Sequence, residues 1–274
     1  MLSINKSDDY ILFTVKNIFF LLLFLCMRLH AQYTVQNAHS HNDYANKVPF
    51  WTAYNARFGS IEADIFAVNG ELIVAHTKSE IKQGRTLDDL YIKPLVLRYE
   101  QNRNQPWPDD DGQLQLLIDL KTPPTPTLDL LVNKLMQYPE VFDRSLNPHA
   151  VQVVITGNMP KPSDFGLYPS FIMFDGRPTN TYSPEQLGRI ALYSAAWNKP
   201  KGKSLSAVER EKVEETIRTV HGLNRKIRFW ATDDSPEAWK MLMELGVDYI
   251  NTDRINELAD FLNQEESLNQ ESLK

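Results

Sequence analysis

The chain has 274 residues, 42% of them hydrophobic and 23% charged, with a formal net charge of −6 and a single cysteine. The acidic balance argues against a general nucleic-acid binder, which would carry a basic surface, and one cysteine excludes an internal disulfide framework. The length accommodates one large domain with an ample core.

The chain opens on a polar stretch, followed by an apolar run at 18–27 and then Arg28, Leu29, His30 and Ala31. The run is too short to span a bilayer comfortably and fits the apolar centre of a signal peptide. Residues 1–31 are therefore expected to be removed after Ala31, giving a secreted or periplasmic protein, with an uncleaved anchor as the alternative. Cys26 follows Leu25, not the small residue that lipid attachment requires. The remaining chain is cysteine-free and close to the roughly 250 residues of an eight-stranded α/β barrel.

Beyond the leader, strand-like runs alternate with helical patterns, which is the α/β signature. Strands are expected at 34–39, 60–66, 72–75, 114–120, 151–155, 171–174, 192–196, 226–230 and 249–252. Nine runs exceed eight barrel positions by one, and the Asn69-Gly70 turn marks 72–75 as the return arm of a hairpin. A loop rich in Asn, Pro and Asp is expected at 101–112, where Asp109, Asp110 and Asp111 read as a solvated charge run. The clearest helix covers 207–221, with Ser206 and Glu209 as a capping box, an apolar stripe of Val208, Val213, Ile217 and Val220, and Gly222 at its end. A second covers 236–245, with Ser235 as cap, Pro236 in the first turn, Gly246 as terminator, and Trp239, Leu242 and Met243 as packing residues. The domain is expected to span 32–262 as a single (β/α)8 TIM barrel, followed by a frayed polar tail at 263–274.

The most informative stretch is Ile61-Glu62-Ala63-Asp64-Ile65. In a strand, residues i and i+2 share a face, so Glu62 and Asp64 point one way and the three apolar residues the other. Two carboxylates on one inner face repel unless a cation lies between them. A second strand, Leu117 to Lys121, places Asp119 and Lys121 on one face in the same manner. His39 and His41 close the first strand, and His76 follows the hairpin return; strand ends are the chemical edge of a parallel barrel.

These motifs resemble the glycerophosphodiester phosphodiesterase and phosphatidylinositol-specific phospholipase C-like superfamily. The pattern there is a strand-end His, a Glu-x-Asp strand, a hairpin ending in a second His, and an acidic-x-Lys strand. Here it is met by His39, Glu62 with Asp64, His76, and Asp119 with Lys121. Arg228-Phe229-Trp230-Ala231-Thr232 resembles the family's Trp-Thr strand, and Gly246 to Asp253 its closing Gly-Val-Asp-x-Ile-x-Thr-Asp strand. The His-Arg-Gly of the glycerophosphodiesterases is absent: the segment reads His39-Ser40-His41-Asn42. Either His39 or His41 suits the catalytic position, with His39 favoured because Ala38-His39 matches the family and Asn42 follows at the spacing of its sphingomyelinase D branch.

The resemblance implies a metal-dependent phosphoric diester hydrolase acting on a small-molecule or phospholipid phosphodiester, compatible with peripheral membrane contact and implying no protein partner. Glu62, Asp64 and Asp119 are the expected ligands of Mg2+ or Ca2+, since all-oxygen ligation disfavours zinc. His39 and His76 are the expected general base and general acid, Lys121 the phosphate-facing cation, and His41, Asn42 and Trp230 the substrate contacts. Two alternatives are a zinc amidohydrolase-like barrel using His39-x-His41 and a barrel that binds a ligand without catalysis.

Overall fold

The computed structural model describes residues 33–108, 112–199, 202 and 204–272. The leader with Cys26 and its cleavage point, and the Asp109-Asp110-Asp111 run, lie outside the described residues. Among the described residues nine strands form: β1 (Ala38–Ser40), β2 (Ser60–Val68), β3 (Glu71–Val74), β4 (Gln115–Leu120), β5 (Gln152–Gly157), β6 (Ile172–Gly176), β7 (Ile190–Ala196), β8 (Lys226–Trp230) and β9 (Ile250–Thr252). Eight run parallel in the order β8-β7-β6-β5-β4-β2-β1-β9, and a single bridge from Arg228 to Tyr249 joins β8 to β9, nearly closing a TIM barrel. The ninth, β3, pairs antiparallel with β2 through a turn in which Asn69 and Gly70 both have positive φ, as a tight hairpin requires.

The alternation in β2 explains its two faces. Ile61, Ala63 and Ile65 are buried in the core between sheet and helices, while Glu62 and Asp64 turn into the barrel. Inside the barrel a separate apolar layer of Leu117, Val154, Leu192 and Tyr249, packed by Met173 and Ala191, forms a floor near the strand starts. Helices at Lys93–Gln101, Pro124–Leu135, Ala207–Gly222, Pro236–Leu245 and Ile255–Ser272 supply the longer outer elements. Among the described residues no helix is long and apolar enough to cross a membrane.

Three expectations are corrected. The first strand starts at Ala38, not Thr34, because Thr34 and Asn37 form a capping box that winds Val35–Asn37 into a 3-10 turn. Val208 is 62% exposed, so the helix at Ala207–Gly222 buries Val213, Ile217 and Val220 alone. The segment after Leu262 continues as helix to Ser272 instead of fraying, since no glycine or proline interrupts Gln264, Glu265 and Glu266, all good helix formers. The helix at Pro236–Leu245 is as expected, capped by Ser235 and stopped by Gly246 at φ 85°.

Candidate active site

The inward side chains above the apolar floor form two charged layers. In the lower one, His39 is fully buried and faces the start of β2. Ser60 Oγ, which accepts from Gln115 Nε2, lies 2.7 Å from His39 Nδ1, and His39 Nε2 lies 2.8 Å from Glu62 Oε2. Arg228, arriving from β8, donates through Nη1 to the same Glu62 oxygen at 2.7 Å and to Asn251 Oδ1 at 3.3 Å. Burial and the adjacent Arg228 charge lower the His39 pKa to about 3, so the ring is neutral. Burial opposes the Glu62 carboxylate, but Arg228 and His39 outweigh it and hold Glu62 far below the ordinary carboxylate range.

The upper layer holds Asp64, Asp119 and Lys121. Asp64 and Asp119 are direct partners in the β2–β4 ladder. Lys121 Nζ lies 2.8 Å from Asp64 Oδ2 and 3.2 Å from Asp119 Oδ2, spanning both carboxylates. Burial works against the ammonium, but these two carboxylates raise the Lys121 pKa above its usual value. Asp64 Oδ2 also accepts from Tyr44 at 2.7 Å and lies 3.1 Å from His76 Nδ1, whereas Asp64 Oδ1 is buried with no partner among the described residues. Burial and then the Asp64 charge push the Asp119 carboxyl up in spite of Lys121. One lysine does not balance this layer.

Glu62, Asp64 and Asp119 offer oxygens that all lie within 4.8 Å of one another, and among the described residues they are the one such group of possible metal ligands. Three hard oxygen donors, one of them orphaned, fit a divalent cation of the Mg2+ or Ca2+ kind. Gly157 keeps the space open: it has φ 74°, and a Cβ there would stand 2.1 Å from Asp119 Oδ1.

The histidines divide between the layers. His41, two residues beyond His39, reaches the mouth with its side chain 26% exposed; its Nδ1 is 2.8 Å from Asp253 Oδ1, and Nε2 has no hydrogen-bond partner among the described residues. Burial opposes its charged form, but Asp253 and Glu62 outweigh this and raise its pKa. His76 is 55% exposed, just past the end of β3. Asn42, in a left-handed conformation, links the two: its Nδ2 lies 3.1 Å from His41 Nδ1, and its Oδ1 lies 2.7 Å from the Tyr44 hydroxyl, which is also 3.1 Å from His76 Nδ1. Trp230 stands exposed at the end of β8. The zinc alternative finds little here, because the His39 nitrogens are taken up by Ser60 and Glu62, and His221 bonds Asp248 near the strand starts.

Three side chains of this site escaped the sequence reading. Arg228 sits two residues before Trp230, so strand alternation alone turns it inward. Tyr44 lies in the same short motif as His41 and Asn42. Arg177, just past β6, donates to Asp175 Oδ2 at 2.6 Å and to Thr156 Oγ1 at 3.1 Å, and Thr156 is the ladder partner of Asp119. Its guanidinium is thus held between the inward side chains of β5 and β6, and β5 is the strand next to the carboxylate strand β4.

Residues 28–163 match a family model described as the AIM6-like phosphodiesterase domain, and residues 226–254 match one described as the glycerophosphoryl diester phosphodiesterase family. The chain is 26% identical over 268 residues to altered inheritance of mitochondria protein 6 of Eremothecium gossypii, covering 81% of this chain and 68% of that protein. It is 26% identical over 254 residues to a homolog of that protein from Arthroderma benhamiae, covering 80% and 81%. The crystal structure of a glycerophosphodiester phosphodiesterase from Parabacteroides distasonis superposes with a TM-score of 0.53 at 14% identity, covering 83% of this chain and 97% of that one, and so shares the fold. The barrel, its ordered motifs and these matches agree that the chain belongs to the glycerophosphodiester phosphodiesterase-like superfamily.

Proposed function

We propose that the chain hydrolyses a phosphodiester of the glycerophosphodiester or phospholipid type at the mouth of its barrel, with Glu62, Asp64 and Asp119 holding one Mg2+ or Ca2+. The observation that carries this reading is the carboxylate trio with Asp64 Oδ1 buried and unpartnered. A cation bound there would stabilise charge on the phosphoryl oxygens as a Lewis acid.

The chain's own groups do the rest. Lys121 moves its ammonium from the carboxylates towards a non-bridging phosphate oxygen, and Arg177 approaches another from the β6 side, replacing the arginine that the His-Arg-Gly motif would supply. His41, oriented by Asp253 through Nδ1, takes the proton of the attacking oxygen at Nε2 as the new P–O bond forms. His76 gives a proton to the departing alcohol oxygen as its bond to phosphorus breaks. His39 is reassigned: buried beneath Glu62, it positions that carboxylate and does not touch substrate. Tyr44 and Asn42 fix the two mouth histidines relative to Asp64, and Trp230 offers an apolar face to the substrate alcohol. Secretion is part of the same reading and rests on the apolar run at 18–27 alone.

The test is a panel of glycerophosphodiesters, lysophospholipids and bis(p-nitrophenyl) phosphate, assayed with Mg2+, Ca2+, Zn2+ or chelator. Turnover of at least one diester, supported by Mg2+ or Ca2+ and abolished by chelator, is expected. Turnover supported by Zn2+ alone, or undiminished by chelator, would overturn it.

A further inference from the structure

The opposite end of the barrel, where the strands begin, carries a cavity of about 600 Å3 among the first residues of β4, β5, β7 and β8. Three cations line it, Arg144, Arg225 and Lys226, against one carboxylate, Asp248. That carboxylate is already committed: its Oδ2 lies 2.8 Å from His221 Nε2 and accepts from the Ile227 amide at 2.8 Å. Among the described residues none of the three cations has a carboxylate partner. Lys226 Nζ donates to the Tyr249 hydroxyl at 3.1 Å and sits 4.6 Å from the centre of that ring. Arg144 spends Nε on the Ala150 carbonyl at 2.9 Å. Arg225 gives Nη1 and Nη2 to the carbonyls of Asn224 and Leu187, and its Nε is buried without a partner among the described residues. Burial pushes the Arg144 guanidinium down, and only the phenols of Tyr99 and Tyr249 oppose that shift.

A protein with net charge −6 has thus gathered uncompensated positive charge in one concave place. Low-dielectric walls focus such a field on an entering anion. The volume lies within the ~300–1,000 Å3 of small-molecule sites and exceeds what one inorganic ion fills. Met173, Leu114 and Ile190 in the same lining would suit the organic portion of a larger ligand. The apolar floor of Leu117, Val154, Leu192 and Tyr249 closes the inner side, so an occupant would have no route to Glu62 through the barrel.

We propose that this cavity binds a small phosphate-bearing organic anion through Lys226 and Arg144, as a site separate from the catalytic mouth. The ammonium supplies a mobile point charge and the guanidinium a fixed fork, a combination suited to oxygens on two linked phosphates.

Inorganic pyrophosphate serves as the probe, titrated calorimetrically into the full chain in chelator, so that no metal at the mouth contributes. One saturable site is expected, weakened roughly tenfold or more by Lys226→Met or Arg144→Gln, the loss of one charge-assisted contact. Lys121→Met, at the mouth, should leave the affinity as it was. Absence of saturable binding to the unmodified chain would overturn the proposal, as would binding lost in Lys121→Met but kept in both strand-start variants. Hydrogen exchange on the unmodified chain locates the probe without relying on any variant's folding. Protection at 144–152 and 224–228 is expected; protection confined to 39–44 and 119–122 would overturn the assignment. Both readouts are independent of phosphodiester turnover.

Discussion

The two charged layers inside the barrel use the same chemistry and differ in balance. In the lower layer the Glu62 carboxylate meets Arg228 and His39, and among the described residues no buried side-chain atom of that layer is left without a partner. In the upper layer Lys121 is shared between Asp64 and Asp119, Asp64 Oδ1 has no partner, and the Asp119 carboxyl is pushed up. Glu62 is balanced by Arg228 whether or not it also lends an oxygen to a cation, whereas the Asp64 and Asp119 pair falls short of neutrality by itself. The difference also revises what removal of Glu62 would do. Reading the strand alone, Glu62 and Asp64 look like equivalent repelling carboxylates, yet loss of Glu62 would strand the Arg228 guanidinium in the barrel centre.

The largest effect should therefore come from the lower layer. Arg228→Met leaves Glu62 buried without its cation, an expected loss of about 3–5 kcal/mol, the usual cost of breaking a buried pair from one side. Denaturant unfolding measures it, and a variant as stable as the parent would show that the lower layer is not self-neutralised as described.

Next in size are the histidines of the mouth. His41→Ala and His76→Ala should each slow turnover by roughly 10²–10⁴-fold with melting little changed, the usual worth of a positioned acid or base. His39→Gln should act mainly on stability. Steady-state kinetics beside thermal melts separates the two behaviours, and a folded His39→Gln variant that loses turnover while His41→Ala keeps it would return the catalytic role to His39.

The layers should also separate on acidification. The His39 pKa is about 3 in the folded chain against an ordinary 6.5, so between these values the unfolded chain binds a proton that the folded one cannot. Stability is intact above pH 6.5 and falls as pH drops towards 3. Glu62, lowered from 4.5, adds a further loss below that value. His41 has the opposite sign: its raised pKa favours the folded state fully below pH 6.5, with the benefit lost as pH rises through the folded value. Melts between pH 6.5 and 4.5 should fall in the parent and flatten in His39→Gln; equal slopes would refute the buried neutral ring.

Arg177 gives the smallest expected effect. Arg177→Lys keeps a positive charge beside Asp175 but loses the planar fork, and KM for the phosphodiester should rise by about tenfold with kcat and melting near the parent's. An unchanged KM would confine Arg177 to holding Asp175.

Much of this was legible from strand alternation. Glu62-x-Asp64 and Asp119-x-Lys121 fix inward faces without any knowledge of neighbours, and the Asn69-Gly70 turn identifies β3 as the arm outside the barrel order. What alternation cannot give is depth. His39 and His41 share a face by the same rule that pairs Glu62 with Asp64, and only the ladder that sets His39 beside Ser60 shows which ring lies under the carboxylates and which reaches the mouth. Arg228 and Arg177 escaped for a related reason: each is defined by partners more than fifteen residues away, Glu62 for one and Thr156 for the other. Arg177 also falls between the two stretches that match family models. The 3-10 turn at Val35–Asn37 was missed because a capping box can begin so short an element as readily as a full helix.

The central claim is that Asp64 and Asp119, which Lys121 alone does not balance, take a divalent cation together with the neighbouring oxygen of Glu62. Calorimetric titration of Mg2+ and Ca2+ into chelator-stripped protein, repeated on Asp64→Asn, tests it directly. Asparagine keeps an acceptor for Tyr44 and Lys121 while removing the charge, so the variant should fold. One site per chain in the parent and none in the variant, with the two melting alike before metal is added, is the predicted result. No binding to the parent, or equal binding to both, would contradict the account.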